Sequence, residues 1–315
     1  MQYNYMLKYL IIQLSDKSPS FCHYVNNRTE ERTIAPVLLG KAILMAMQQN
    51  WTVQIVWPYH QISAELKKEI EKIDHINIVP SSLTTDADIV VSETVSDLVN
   101  LPSGSNVVLR SALKSLEDNV LVVEESLARF SRLNIFLTEI EAMGEKDFEQ
   151  YSAILGRLAN KIKSEYAKGH YVQLNSLTDR MMLDAMNNCN AGFESVTLAP
   201  DGKFYICPAF YLDGSESLGD VESGLKIKNK QLFRLDHAPI CRRCDAYQCR
   251  RCIWLNKKTT LEVNTPSHEQ CVVAHIERNA SKKLLDSVRE LGEFLPEKSI
   301  EEIDYLDPFD IINEK

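Results

Sequence analysis

The residues in this 315-residue chain whose type and spacing point most directly to chemistry are its eight cysteines. Cys22 stands alone near the start. Cys189, Cys207, Cys241, Cys244, Cys249, Cys252 and Cys271 follow after a long gap. Two residues between cysteines let both thiolates converge on one centre, and Cys241-x2-Cys244-x4-Cys249-x2-Cys252 holds two such pairs. In a zinc ribbon, two pairs build one tetrahedral, all-cysteine site. Four intervening residues make a tight loop for wrapping both pairs onto one ion. Ferredoxin-type runs instead give three thiolates to one iron–sulfur cluster and send the fourth to another. That solution needs further cysteines, which Cys189, Cys207 and Cys271 supply. Spacing alone leaves zinc and iron both open. So do Arg242, Arg243, Arg250 and Arg251, because guanidinium groups offset the negative charge of either kind of thiolate centre.

Composition narrows the setting. At 44% hydrophobic and 25% charged, the chain reads as a folded globular protein. A net charge of -9 argues against a nucleic-acid partner, and the local basic density over residues 242–258 does not outweigh it. The run Tyr9-Leu10-Ile11-Ile12 is too short for a signal peptide, and nothing approaches the roughly 18 apolar residues of a membrane helix. A cytoplasmic protein with no membrane partner is expected. Disulfides are rare in that compartment, so clustered cysteines there signal metal. There is no Ser–His–Asp pattern, P-loop, GxGxxG or HExxH. His23, His268 and His275 sit in no catalytic pattern, and the last two are expected to face solvent or cap a helix.

The elements that must position these residues follow from periodicity. Strands are predicted at Tyr9–Gln13, Trp51–Trp57, Ile76–Val79, Asp88–Val91, Asn106–Leu109 and Arg132–Thr138. Helices are predicted at Ile34–Gln49, with Pro36 in its first turn, from a Ser63 cap to about Ile73, and at Asp147–Tyr166. This βαβα order implies a largely parallel sheet with crossover helices, closed as a partial barrel or open. Near residue 186 the texture changes. Ser195–Ala199 and Lys203–Cys207 flank the turn Pro200-Asp201-Gly202, a hairpin signal. Leu218–Thr265 reads as mostly irregular. Ser267 and Gln270 then form a capping box for a helix whose apolar stripe is Val273, Ile276, Ala280, Leu284, Val288 and Leu291. The acidic tail 293–315 is expected to be solvated and to pack through Tyr305, Leu306 and Phe309.

The cysteine order resembles the SPASM domain of radical-SAM peptide-modifying enzymes. That domain has a cysteine, a gap of 9–15 residues, Gly-x4-Cys, a CxxC-x5-C-x3-C run and a final cysteine. Here Cys189 is followed by twelve residues and then Gly202-x4-Cys207, the Cys241–Cys252 run, and Cys271. The two inner gaps of the run are each one residue short of the pattern. If ligands carry over, the resemblance implies one [4Fe–4S] cluster on Cys241, Cys244, Cys249 and Cys271, and a second involving Cys189, Cys207 and Cys252.

A SPASM domain usually follows a radical-SAM barrel with CxxxCxxC after its first strand and a GGEP-like turn after its second. Here Phe21-Cys22-His23-Tyr24 and Val56-Trp57-Pro58 stand at those places, and Cys22 is the only cysteine before Cys189. Cys22 is either a buried small residue or a ligand that, like a substrate thiolate, completes the three-cysteine cluster. The combination is similar to peptide maturases of ribosomal-peptide systems, such as those paired with CXXX-repeat precursors or with ATP-grasp ligases, and the stretches 20–24, 251–258 and 264–271 resemble the CXXX-repeat group best. The fold class expected is α/β: a degenerate radical-SAM-like partial (β/α) barrel over 1–185, then a cysteine-rich SPASM-like metal-binding domain over 186–292. The function expected is maturation of a ribosomally made, CXXX-repeat-type peptide through one or two [4Fe–4S] clusters, without a SAM site of its own. The alternative is a non-catalytic zinc adaptor that recruits a precursor peptide to a separate peptide-modifying enzyme.

Overall fold

The computed structural model describes residues 7–183, 188–246, 249 and 252–300. The chain forms two compact units, Met1–Val91 with Asn190–Arg234, and Ser92–Cys189 with Leu235–Lys315. Each unit thus draws chain from both sides of residue 186. In chain order the elements begin β1 (Tyr9–Gln13), α1 (Pro36–Gln49), β2 (Thr52–Val56), α2 (Ala64–Ile70), β3 (His75–Pro80) and β4 (Ile89–Ser92). Next come β5 (Asn106–Ser111), α3 (Leu113–Asp118), α4 (Val120–Leu127), β6 (Arg132–Leu137), α5 (Glu145–Ala167) and α6 (Thr178–Met182). Beyond residue 188 lie β7 (Ser195–Leu198), β8 (Phe204–Tyr205), α7 (Pro208–Leu212), β9 (Gly219–Asp220), β10 (Gly224–Leu225), α8 (Ile253–Thr260) and α9 (His268–Arg289).

In the first unit the strands run in the order β4-β3-β2-β1-β7-β8, all parallel except the edge strand β8. Parallel strands are covered on both faces, which is why β1 is an unbroken apolar run rather than an alternating one. Leu10 and Ile12 are fully buried against Val53, Ile55, Val196 and Leu198, with Leu39, Ala42, Ile43 and Ala46 of α1 in the same core. Ser63 caps α2 as predicted, its hydroxyl accepting the Leu66 amide at 3.2 Å. The Pro200-Asp201-Gly202 turn joins β7 to β8 as an antiparallel hairpin. Gly202 sits at φ 78°, so the turn demands glycine, and a Cβ there would also displace a Leu38 methyl 2.7 Å away.

In the second unit β5 and β6 pair in parallel. Asn175 extends the edge of β6 with its side chain, accepting the Ile135 amide at 2.9 Å and donating to the Ile135 carbonyl at 3.0 Å. α5 buries Tyr151, Ile154, Leu155, Leu158 and Ile162. The Tyr151 hydroxyl donates to Glu277 of α9 at 2.6 Å.

The architecture is therefore α/β, with parallel strands and crossover helices. The cysteine-rich stretch departs from expectation in three details. α8 interrupts the segment read as irregular. The capping box on α9 is half formed: Ser267 accepts the Gln270 amide at 3.3 Å, while the Gln270 side chain donates to Asn256 at 3.1 Å instead of turning back to the cap. The buried face of α9 is also rotated from the apolar stripe, carrying His275, Arg278 and Ser281 where Ile276, Ala280 and Leu291 were expected. On that face Arg278 meets Asp245 and His275 lies beside Cys244. Among the described residues no helix is long and apolar enough to cross a membrane. The acidic tail from residue 301 lies outside the described residues.

Candidate metal centre

Cys241–Arg243 form a single 3-10 turn, closed by the Cys244 amide donating to the Cys241 carbonyl at 3.1 Å. This is the compact geometry that two intervening residues permit. The Ala246 amide then donates to the Cys244 sulfur at 3.4 Å, and the Cys249 amide to the Ala246 carbonyl at 2.7 Å. An amide aimed at the sulfur favours its ionised, metal-binding form. Cys252 is the N-cap residue of α8, and the fully buried Asn256 accepts from Gln270 at the start of α9 and donates to the Val263 carbonyl of the intervening connection at 2.9 Å. Cys271 follows in the first turn of α9. Arg242 and Arg243 are exposed, and Arg250 and Arg251 lie outside the described residues.

Among the described residues, the cations that act on Cys244 come from α6 and α9. Asp245 is buried, with its Oδ1 on Arg278 Nη1 at 2.6 Å and its Oδ2 3.6 Å from Arg180 Nη2. Both arginines are buried, at 2% and 3% side-chain exposure. On the same face of α9, His275 brings Nε2 to 3.4 Å from the Cys244 sulfur. His275 is thus buried, not at the surface or in a cap; His268 is exposed as expected. Burial first, then Arg278, pushes the His275 imidazole down to about 4, leaving it neutral with a lone pair to offer. Burial pushes the Cys244 thiol up, opposed by the Ala246 amide and the two arginines. Ligand atoms of Cys244, Asp245 and His275 lie within 4.8 Å of one another, a spacing one ion could span. The donor set fits a metal centre. Sequence reasoning missed Asp245, Arg180 and Arg278 and set His275 aside as solvent-facing or capping; the signal available was the series Cys271, His275, Arg278, which recurs on one helical face.

Five of the other candidate thiols, Cys189, Cys241, Cys249, Cys252 and Cys271, belong to this same unit, while Cys22 and Cys207 belong to the first. Cys189 is exposed, Cys241 buried, and Cys207, Cys249, Cys252, Cys271 and Cys22 half-buried. Cys207 precedes α7 as its N-cap residue. Cys22 lies in the segment following β1, which is anchored by its own polar network. Asn26 donates to the Asp16 and Ser18 carbonyls at 2.6 and 3.1 Å, and Arg28 donates to the Tyr211 carbonyl at 2.7 Å. Its guanidinium lies 3.9 Å over the Tyr211 ring, whose hydroxyl donates to Asp16. Burial and Asp16 push that phenol above its ordinary range.

No protein-family profile matches the chain, and no curated protein matches it in sequence. Solved structures do match in shape. "Native anSMEcpe with bound AdoMet" is 14% identical, with a TM-score of 0.61 over 89% of this chain and 99% of that one. "Native anSMEcpe with bound AdoMet and Cp18Cys peptide" is 13% identical, with a TM-score of 0.62 over 90% of this chain and 99% of that one. At such identity the likeness speaks for fold alone, and over nearly the full length of both chains that fold is the radical-SAM-like one.

Proposed function

We propose that this chain matures a ribosomally made peptide of the CXXX-repeat kind, using a SPASM-like module loaded with one or two [4Fe–4S] clusters. The observation that carries the reading is the metal-ready turn at Cys241–Ala246, in a chain whose seven clustered cysteines follow the SPASM order. Cys189, Cys207, Cys241, Cys244, Cys249, Cys252 and Cys271 are the proposed ligands. When bound, a cluster would supply electron transfer or a thiol-anchoring Lewis acid. The chain's own part is to hold thiolates in place with amide and guanidinium partners. A peptide substrate is supported by the peptide bound in the similar anSMEcpe structure. That structure also holds AdoMet, but with Cys22 as the only cysteine ahead of Cys189 this chain is proposed to act without AdoMet cleavage of its own, in the cytoplasm.

Anaerobic purification with assays of iron, acid-labile sulfide and zinc tests the module. Roughly four to eight irons with matching sulfide are expected. A cysteine-repeat peptide should then bind the loaded protein, and AdoMet plus a reductant should yield no 5′-deoxyadenosine. Zinc without any sulfide would replace this reading with the peptide-recruiting zinc adaptor. The proximity of Cys244 and His275 is the observation favouring a role for zinc at part of the module.

A further inference from the structure

We infer that the cleft between α2 and the outer face of β3 binds a small zwitterion with an apolar body, the chemistry of a free amino acid such as leucine or phenylalanine. The argument begins with topology. β3 and β4 are parallel, and parallel neighbours are joined as a rule by a long crossover, most often a helix that covers the sheet. Residues 81–88 make this connection without a helix. On β2, Val53 and Ile55 point into the core beneath α1 and α2, and the register sets His75 and Asn77 of β3 beside them on the same face. Two polar side chains thus stand where a covered parallel strand carries aliphatic ones. Over them opens a cleft of about 410 Å³, near the low end of the roughly 300–1,000 Å³ of small-molecule sites.

The lining supplies the ligand class. Trp57, Ile70, Val79 and Leu83 form an apolar floor, and Lys67, Glu71, His75, Asn77, Thr85 and Asp86 surround it, all within the first unit. Asn77 Oδ1 accepts the Trp57 indole N–H at 2.7 Å, which leaves the Asn77 amide hydrogens to donate. His75 Nδ1 lies 2.7 Å from the Ile73 carbonyl, and a carbonyl only accepts, so Nδ1 carries the proton and Nε2 is an acceptor. Lys67 and Glu71 do not pair with each other; the ion pair at this end of α2 is Lys72 with Glu69, at 2.6 Å. The cleft therefore offers an ammonium and an amide donor to a carboxylate, and two carboxylates and an imidazole acceptor to an amine. A phosphate would meet Glu71 and Asp86 as like charges. Among the described residues, metal-ligand spacing occurs only at Cys244, Asp245 and His275, so a metal is not the occupant of this cleft. The inference goes beyond the peptide reading and rests on none of the cysteines.

The test titrates the purified full chain, without peptide, with L-leucine, L-methionine, L-phenylalanine and L-tryptophan, read by calorimetry. At least one should bind saturably. Its decarboxylated amine and its deaminated acid should each bind about tenfold more weakly, because each leaves a charged group of the cleft without its partner. Lys67→Ala should weaken the amino acid by about tenfold and leave the amine unaffected; Glu71→Gln should weaken the amino acid similarly and leave the deaminated acid unaffected. Both positions are exposed, so a folding defect does not enter, and Lys68→Ala, on an exposed neighbour outside the cleft, should bind as wild type does. Absence of saturable binding by all four amino acids overturns the inference. So does an amine or acid that binds as tightly as the amino acid, or an affinity unchanged in both Lys67→Ala and Glu71→Gln. Iron, sulfide and peptide binding are measured separately, so failure here leaves the peptide reading standing and failure there leaves this one.

Discussion

At the scale of single residues, the strongest constraint in the second unit is the buried ion triad of Arg180, Asp245 and Arg278. A charge taken out of water is tolerated only while its partner stays, and removing one partner from a buried pair costs roughly 3–5 kcal/mol. Arg278→Leu should therefore destabilise the protein by about 3 kcal/mol, read as a lower urea midpoint. Adding Asp245→Asn should recover part of that loss, because the stranded carboxylate is then gone. Equal midpoints for the single and double variants would show that the pair is not coupled. Of this triad only Arg278 left a trace in the sequence, and sequence reasoning did not use it. Cys271, His275 and Arg278 fall on one face of a helix whose Ser267 cap is plain in the sequence. Asp245 gave no such signal, since its role depends on Arg180 arriving from a distant segment.

At the scale of elements, α5 shows how a surface network becomes pH-dependent. Glu165 is buried to 6% side-chain exposure and takes Lys161 at 2.8 Å, Lys168 at 2.9 Å and His170 at 3.3 Å. Hydrogen bonds from Lys161, then Lys168, pull its carboxyl down to about 2, against the opposing effect of burial. A carboxylate depressed on folding contributes stability that is full above its unfolded pKa, about 4.3, and is lost as pH falls through the folded value. Wild type should thus exceed Glu165→Gln by up to about 1 kcal/mol at neutral pH, a magnitude kept small because the lysines are partly exposed. Urea midpoints of the two proteins should converge between pH 4.5 and pH 2, limits set by the ordinary carboxyl value and the lowered one. A constant gap down to pH 2 would rule the linkage out. The amphipathic period that makes α5 was legible, as were β1 to β6, because long apolar faces and continuous parallel-strand runs leave strong periodic marks. α8 left none. It buries Ile253, Leu255 and the polar Asn256, residues with no apolar stripe to declare a helix.

At the scale of the whole molecule, the chain divides its stability between two kinds of construction. The parallel sheet around β1 rests on fully buried aliphatic side chains, and such cores need no ligand. Among the described residues from 235 to 267 the buried apolar side chains are few: Ala238, Cys241, Ala246, Ile253 and Leu255. A segment with so little burial opens locally at low cost unless something else crosslinks it. On the proposed function, metal bound by its thiolates supplies that crosslink, because in small cysteine modules the binding free energy is folding free energy. This also explains why the sequence revealed the module's cysteines and not its architecture: thiol spacing is local, whereas the histidine and arginines that complete the surroundings come from α6 and α9. Stripping the metal with a chelator should accordingly raise amide hydrogen exchange across 241–256 while leaving the amides of β1 to β3 protected. Readdition of metal should restore the slow exchange. Equal loss of protection in β1 would mean that the metal supports the entire chain, and unchanged exchange at 241–256 would mean that the turns around Cys244 stand without it.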